Sequence, residues 1–392
     1  MILLLYTQNE LTIRVMRTNI RKRMKFHYKH QITSDSEEIM KIKLVIYSED
    51  YQYVEHLVNY LNIHYNEMIE LNVFNEEEAL KEYLDHYKAD VVILDDGYFC
   101  QLKNNAATVY LTDEPVINED KLCIFKYQKG EIIYKTILNV YASGTDKGLH
   151  KLIENGQEAT RIHLFLSING GAGASTVAKA YSIKLAKERK VLYLNLEIFG
   201  DCETVLKADG NFSLDDILYT LKSRRGSLSL KLESVLKKSP DGIYFYAPSA
   251  NPINLLDLDA EEFLSLLSEI KKSGLFNEIV LDMDSFPSVW MLEGLKEADD
   301  IWLIADGTEA SAEKYDKFRV FISALEKKKQ LRISPKMKIF YNKYSNKTGK
   351  PIENCGLEIG GGSPRYEGME EITIVKKMAD SNAFNKDFFK EG

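Results

Sequence analysis

The stretch Leu164-Phe165-Leu166-Ser167-Ile168-Asn169-Gly170-Gly171-Ala172-Gly173-Ala174-Ser175-Thr176 decides how this chain is read. An apolar run breaks into a glycine-rich turn, and the turn opens a helix near Ser175. Glycines let successive backbone N–H groups converge on an anion, and a helix N-terminus adds partial positive charge. The build is that of a phosphate-binding loop. The standard pattern GxxxxGK[ST] carries a lysine directly before its Ser or Thr. Here that place is Ala174.

Outward from the loop, apolar runs alternate with helical spacing. Val177 to Lys187 is expected to be a helix, and Val191-Leu192-Tyr193-Leu194-Asn195-Leu196-Glu197 a buried strand. Strands are also expected at Ile243 to Pro248, Phe276 to Asp284, Asp300 to Asp306 and Met337 to Lys343, with helices interleaved. Such alternation implies one large α/β domain with a parallel sheet. Its acids at strand ends, Asp282 and Asp284, lie where an open α/β sheet puts its ligand site. Leu228 to Glu233 reads as a helix face, and Gly360-Gly361-Gly362 as a flexible loop.

A chain of 392 residues accommodates two or three domains, and its 45% hydrophobic and 28% charged content is that of a globular protein. A net charge of -8 argues against broad electrostatic binding to nucleic acid. Cys100, Cys123, Cys202 and Cys355 form no CxxC pair, so free thiols in a reducing compartment are expected. No apolar run reaches the roughly 20 residues that span a bilayer, so no direct membrane insertion is expected. Residues 1–39 are basic and polar and show no strand pattern. They are expected to be a disordered or artefactual extension, with a nucleic-acid or membrane arm as the alternative.

Residues 40–142 carry a second strand-helix alternation. Strands are expected at Lys43 to Tyr47, Glu70 to Phe74, Asp90 to Asp96, Val109 to Thr112 and Cys123 to Lys126. Their C-terminal ends bring together Glu49, Asp50, Asp95, Thr112 and Lys126. This set resembles the receiver domain of response regulators. The resemblance implies an acidic pair that holds Mg²⁺, an Asp95 that takes a phosphoryl group, and Thr112 and Lys126 in contact with that group. Tyr127 stands where receivers have proline, and too few residues separate Thr112 from Lys126 for a helix and loop. An atypical receiver used for dimerisation or docking is therefore expected, with phosphorylation as the alternative. Residues 143–160 read as a linker.

In residues 161–392 the motif Asn169 to Thr176 looks like the deviant Walker A loop, KGGxGK[ST]T, of the ParA/MinD ATPases. The resemblance implies that Gly170, Gly171, Ala172, Gly173, Ala174, Ser175 and Thr176 hold ATP or ADP. It also implies that Ser175 and Asp282 hold Mg²⁺, that Glu197 orients the attacking water, and that Asn342 and Pro364 lie on the adenine side. Ser311 fits the loop before the next helix. Asn169 replaces the family's lysine that reaches a partner's nucleotide, and Ala174 replaces the P-loop lysine. Losing one such transition-state contact typically costs about 3 kcal/mol, or about a hundredfold in rate. ATP binding with slow or negligible hydrolysis is thus expected, so that the chain is at most a slow ATPase.

A receiver fused ahead of such a domain resembles the CpaE/TadZ proteins of Flp (Tad) pilus assembly. That likeness implies two doubly wound α/β domains, receiver (flavodoxin-like) then P-loop. It implies a homodimer, pilus or secretion partners at the membrane, and a cytoplasmic protein recruited to the inner membrane face or a cell pole. No specific nucleic-acid partner is expected. Two alternatives stay open: an active ParA/MinD-type positioning ATPase, and an output protein controlled by phosphorylation of Asp95. The aromatic C-terminal residues Phe384, Phe388 and Phe389 are expected to pack on the domain rather than target a membrane.

Overall fold

The structure is a computed structural model that describes residues 26–27, 41–98, 106–114, 122–144, 160–285, 288–345, 349–353 and 355–386. Most of the 1–39 extension and of the 143–160 linker, Met40, Cys100, the segment between Asp113 and Lys126 at 115–121, and Phe388 and Phe389 lie outside the described residues. By its contacts the chain divides into two units, Met1–His150 with Arg225–Ser234, and Lys151–Arg224 with Val235–Gly392.

The first unit holds a six-stranded sheet. Its order is Phe26–His27, Ile69–Phe74, Ile42–Tyr47, Val91–Asp95, Ala107–Thr112 and Cys123–Phe125. The last five strands pair in parallel, in the 2-1-3-4-5 order of flavodoxin-like sheets. Phe26–His27, within the stretch the sequence sets aside as an extension, pairs antiparallel at the edge. Alternate residues of Ile42–Tyr47 serve opposite faces. Ile42, Leu44 and Ile46 pack against the helix Tyr51–Tyr65 and the helix Gly130–Gly144, while Val45 and Tyr47 meet the helix Glu77–His86. Both faces are covered beyond the exposed Lys43, which is why Leu44 to Tyr47 reads as a continuous apolar run.

The segment 225–234 also packs in this unit. Leu230 joins the core of Ile137 and Leu138, the Ser227 N–H donates to the Ala142 carbonyl at 3.1 Å, and the Lys231 ammonium donates to the Asn139 side chain. The helix Leu228–Val235 accounts for the expected helix face, although its place in this unit is not visible in the sequence.

The second unit is built on eight strands. Their order is Glu358–Pro364, Met337–Tyr344, Asp300–Ala305, Arg161–Ser167, Glu278–Met283, Val191–Leu196, Tyr244–Phe245 and Lys237–Lys238. All adjacent pairs are parallel except the last. The helix Ala174–Ala186 lies over the sheet, burying Val177, Ala178, Ala180 and Ile183 with Phe165, Tyr193 and Trp302.

The triglycine departs from the flexible loop expected. It lies within the strand Glu358–Pro364, with Gly360, Gly361 and Gly362 buried. A Cβ on Gly360 would meet the Trp302 ring at 2.5 Å. One on Gly361, whose φ is +148°, would meet the Ala383 carbonyl oxygen at 2.0 Å. These glycines make room for neighbours. Phe384 packs with Trp302, Tyr181 and Phe340.

At the N-terminal end of this sheet, His163 is held between acids from the two flanking strands. Its Nε2 is 2.8 Å from Glu278 Oε2, and its Nδ1 is 3.2 Å from Asp300 Oδ2, an ion-pair contact outside hydrogen-bond geometry. Arg189 also pairs with Glu278, and Arg161 and Lys338 with Asp300. Burial alone lowers the His163 pKa, but the two carboxylates outweigh it and hold the imidazolium above its ordinary value. A raised folded pKa gives stability that is complete below the unfolded value, about 6.5, and lost as pH rises through the folded one. Thermal melting between pH 6 and 9 should therefore show a stability loss in the wild type that is flatter in a His163→Gln variant.

Candidate functional site

The strand Arg161–Ser167 runs into the loop at its C-terminal end. Gly171 (φ +78°) and Gly173 (φ +87°) adopt left-handed backbone, and Gly173 caps the helix Ala174–Ala186. In front of Gly170 and Gly171 a Cβ would meet nothing within 4 Å, so the loop faces open space. No hydrogen bond within the described residues uses the N–H groups of Gly170, Gly171 or Gly173. An open cradle of unspent donors at a helix N-terminus fits a phosphate.

Below the cradle sits an acidic cluster. Ser175 Oγ lies 2.8 Å from Glu197 Oε2 and 3.3 Å from Asp282 Oδ1. Tyr193, fully buried, donates its hydroxyl to Asp282 Oδ2 at 2.5 Å. Asp284 accepts from the Ile198 N–H, which holds the chain just after Glu197. Burial, then the charge of Glu197, pushes the Asp282 carboxyl up, against the pull of Tyr193, Lys179 and Ser175. Burial likewise raises Glu197, opposed by Ser175 and reinforced by Asp284. Two crowded carboxylates beside a serine hydroxyl suit a divalent cation. Among the described residues no three acids or histidines form a metal cage of their own. A Mg²⁺ held by Ser175 and Asp282 would thus take phosphate and water oxygens as its other ligands.

Asn169 does not point away from its own fold. Its Nδ2 donates to Asp306 Oδ2 at 2.9 Å, and its Oδ1 accepts from Ser311 Oγ at 2.9 Å. Asn342 is buried, and its Nδ2 donates to the Ala172 carbonyl at 2.7 Å, so it braces the loop. Pro364 ends its strand in an exposed position. Thr176 Oγ1 donates to Glu371 at 3.3 Å.

Three further residues join the site without having been expected there. Tyr193 faces inward from its strand. Lys179, four residues after Ser175 and so on the same helix face, is buried and pairs with Glu371 at 3.1 Å. Lys343 donates to the Gly171 carbonyl at 2.7 Å. Only the i,i+4 spacing of Lys179 could have been noticed in the sequence.

In the receiver unit, a cleft of about 670 Å³ is lined by Glu49, Asp95, Asp96, Thr112, Asp113 and Lys126, among others. The Glu49 N–H donates to Asp95 Oδ2 at 2.9 Å. The Lys126 ammonium lies 3.1 Å from Asp113 and 3.6 Å from Asp95. Burial lowers the Lys126 pKa, but the acids facing it raise it on balance. Thr112 is buried and points its hydroxyl to the Ile124 carbonyl, 3.4 Å away. Asp50 is used differently: it is the N-cap of Tyr51–Tyr65, one carboxylate oxygen accepting from the Tyr53 N–H, while its charge still acts on Lys126.

Removing the Tyr193 hydroxyl would leave the fully buried Asp282 Oδ2 short of a donor. A Tyr193→Phe variant should be less stable by about 1–3 kcal/mol in denaturant unfolding.

Residues 40–142 match the family described as the TadZ-like receiver domain. No curated protein matches the sequence. Among solved structures, the chain is similar to a ParA family ATPase from Chlorobium tepidum, at 18% identity over 59% of this chain and 97% of that one, with a TM-score of 0.48. It is also similar to the septum site-determining protein MinD with Mg-ADP from Pyrococcus horikoshii, at 18% identity over 59% and 96%, TM-score 0.45. The MinC:MinD complex of Aquifex aeolicus matches at 18% identity over 56% and 86%, TM-score 0.43. The chain thus carries a segment, residues 40–142, that matches the TadZ-like receiver family, and beside it a second α/β unit whose glycine loop has Ala174 where the standard pattern has lysine.

Proposed function

We propose that this protein is an ATP-binding assembly or localisation factor for a Flp (Tad) type pilus, dimerising through bound nucleotide and hydrolysing it slowly or not at all. One observation carries the reading. The glycine cradle is open with its donors unspent, while both places where a catalytic lysine would stand hold Asn169 and Ala174. The backbone N–H groups and the helix dipole supply attraction for the ground-state phosphates. The contacts of Ser175 Oγ with Asp282 and Glu197 support a reading in which Ser175 and Asp282 take the Mg²⁺ and Glu197 a water. What is missing acts on charge that develops only in the transition state, so binding suffers less than turnover. Asn169, tied to Asp306 and Ser311, does not serve a second copy as a lysine would.

In this reading the receiver serves docking or dimerisation near the pilus machinery, at the inner face of the membrane or a cell pole. Asp50 is committed to its helix cap, which leaves Glu49 and Asp95 with a weaker acidic pair for a metal. Intact mass after incubation with a small phosphodonor and Mg²⁺ should show no adduct on the chain. A single phosphoryl adduct lost in an Asp95→Asn variant would make the receiver a phosphorylation switch instead.

The nucleotide reading is tested by titrating the full chain with ATP and Mg²⁺, beside a Gly173→Trp variant. At Gly173 the backbone is left-handed and a Cβ would fall 2.6 Å from Asn342 Nδ2, so the variant should lose binding. Wild-type binding with phosphate release near background, and a shift to dimer in sedimentation with ATP, are the expected results. Equal and negligible binding by both proteins would sink the reading.

A further inference from the structure

Among the described residues, Arg224, Gln330 and Lys343 are the non-glycine residues with left-handed backbone. Arg224 and Gln330 end helices, where that conformation is common. Lys343 does not. It lies within the strand Met337–Tyr344, where the pairing with Glu358–Pro364 slips between Tyr341 and Tyr344. Left-handed backbone is unfavourable for a lysine, because its Cβ crowds the following carbonyl. An outlier of this kind inside a strand calls for a functional reason.

The geometry supplies one. Successive side chains of a regular strand point to opposite faces. At φ +55° Lys343 is turned so that it and Asn342 both reach the glycine loop. Asn342 donates to the carbonyl of Ala172, and the Lys343 ammonium to that of Gly171, each at 2.7 Å. Lys343 Cε lies 3.6 Å from where a Cβ on Gly173 would stand.

Charge points the same way. Lys179, the other lysine close to the loop, is paired with Glu371. Lys343 is half-buried and has no carboxylate within ion-pair distance among the described residues. An ammonium has three donors, and one bond to Gly171 leaves two for a ligand. The loop beside it is the one that lacks its own lysine.

We propose that Lys343 is the phosphate-binding cation of this site: it comes from a different strand, stands in for the missing loop lysine, and pairs with the β- or γ-phosphate of the bound nucleotide. The inference rests on the nucleotide-binding reading above. A lysine sited there strengthens ground-state binding without restoring the charge at Ala174, in keeping with a protein that holds ATP rather than consuming it.

The test is calorimetric titration of the full chain with Mg-ATP and with AMP, for wild type, Lys343→Met, Lys343→Gly and Lys343→Arg. Glycine takes left-handed backbone without strain, so Lys343→Gly separates loss of charge from loss of fold, and melting of each apo variant checks this. Both neutral variants should bind ATP about tenfold to a hundredfold more weakly, with a much smaller loss for AMP. Their ATP affinity should fall less steeply with salt, and Lys343→Arg should keep most of the affinity. ATP binding by Lys343→Gly within about twofold of wild type, or equal losses for AMP and ATP, overturns the inference. Absence of ATP binding by the wild type fells the nucleotide reading itself and this inference with it. The wild-type titration therefore tells the two failures apart.

Discussion

The larger α/β unit depends on one close approach. Asn342 reaches the Ala172 carbonyl from a strand two places away in the sheet, across 170 residues of sequence. There is space for that amide only because residue 173 has no Cβ and turns left-handed. The contact ties the middle of the loop to the end of the strand Met337–Tyr344. It also requires the parallel register that brings Ser167, Ile304 and the end of the strand Met337–Tyr344 to one edge of the sheet.

Charge is distributed around this loop in an unusual way. Glu197 and Asp282 crowd around Ser175, with the charge of Asp284 acting on Glu197, and burial raises the first two. Tyr193 and Lys179 offset part of that crowding from below, Tyr193 by a hydrogen bond and Lys179 at longer range. Among buried groups such opposition is worth more than at the surface, because the local dielectric is low. Crowded acids thus lie beside a loop whose N–H groups are unspent, two opposite electrostatic demands within one site. At the opposite end of the sheet, His163 shows the complementary solution, in which the protein supplies every countercharge itself.

The receiver unit reuses the same sheet logic for a different outcome. Strand ends converge on a cleft where Lys126 is shared between Asp95 and Asp113. Asp50, adjacent to Glu49 in the sequence, is diverted to capping Tyr51–Tyr65. Neighbouring acids at a strand end look equivalent in a sequence, yet the N–H groups of a following helix compete for one of them.

By itself the sequence determined the alternation of strands and helices, the parallel sheets, the glycine loop with its missing lysines, and the positions of Glu197, Asp282 and Asp95. These follow from apolar periodicity and from residue types at strand ends, which are local signals. Tertiary structure alone decided that Asn169 turns inward to Asp306 and Ser311, and that segment 225–234 packs with the receiver unit. It also decided that the triglycine is a buried strand shaped by Trp302 and Ala383, and that Lys343 is turned onto the loop. In each of these cases the deciding partner is remote in the chain, and no local pattern records which distant group will occupy a given space.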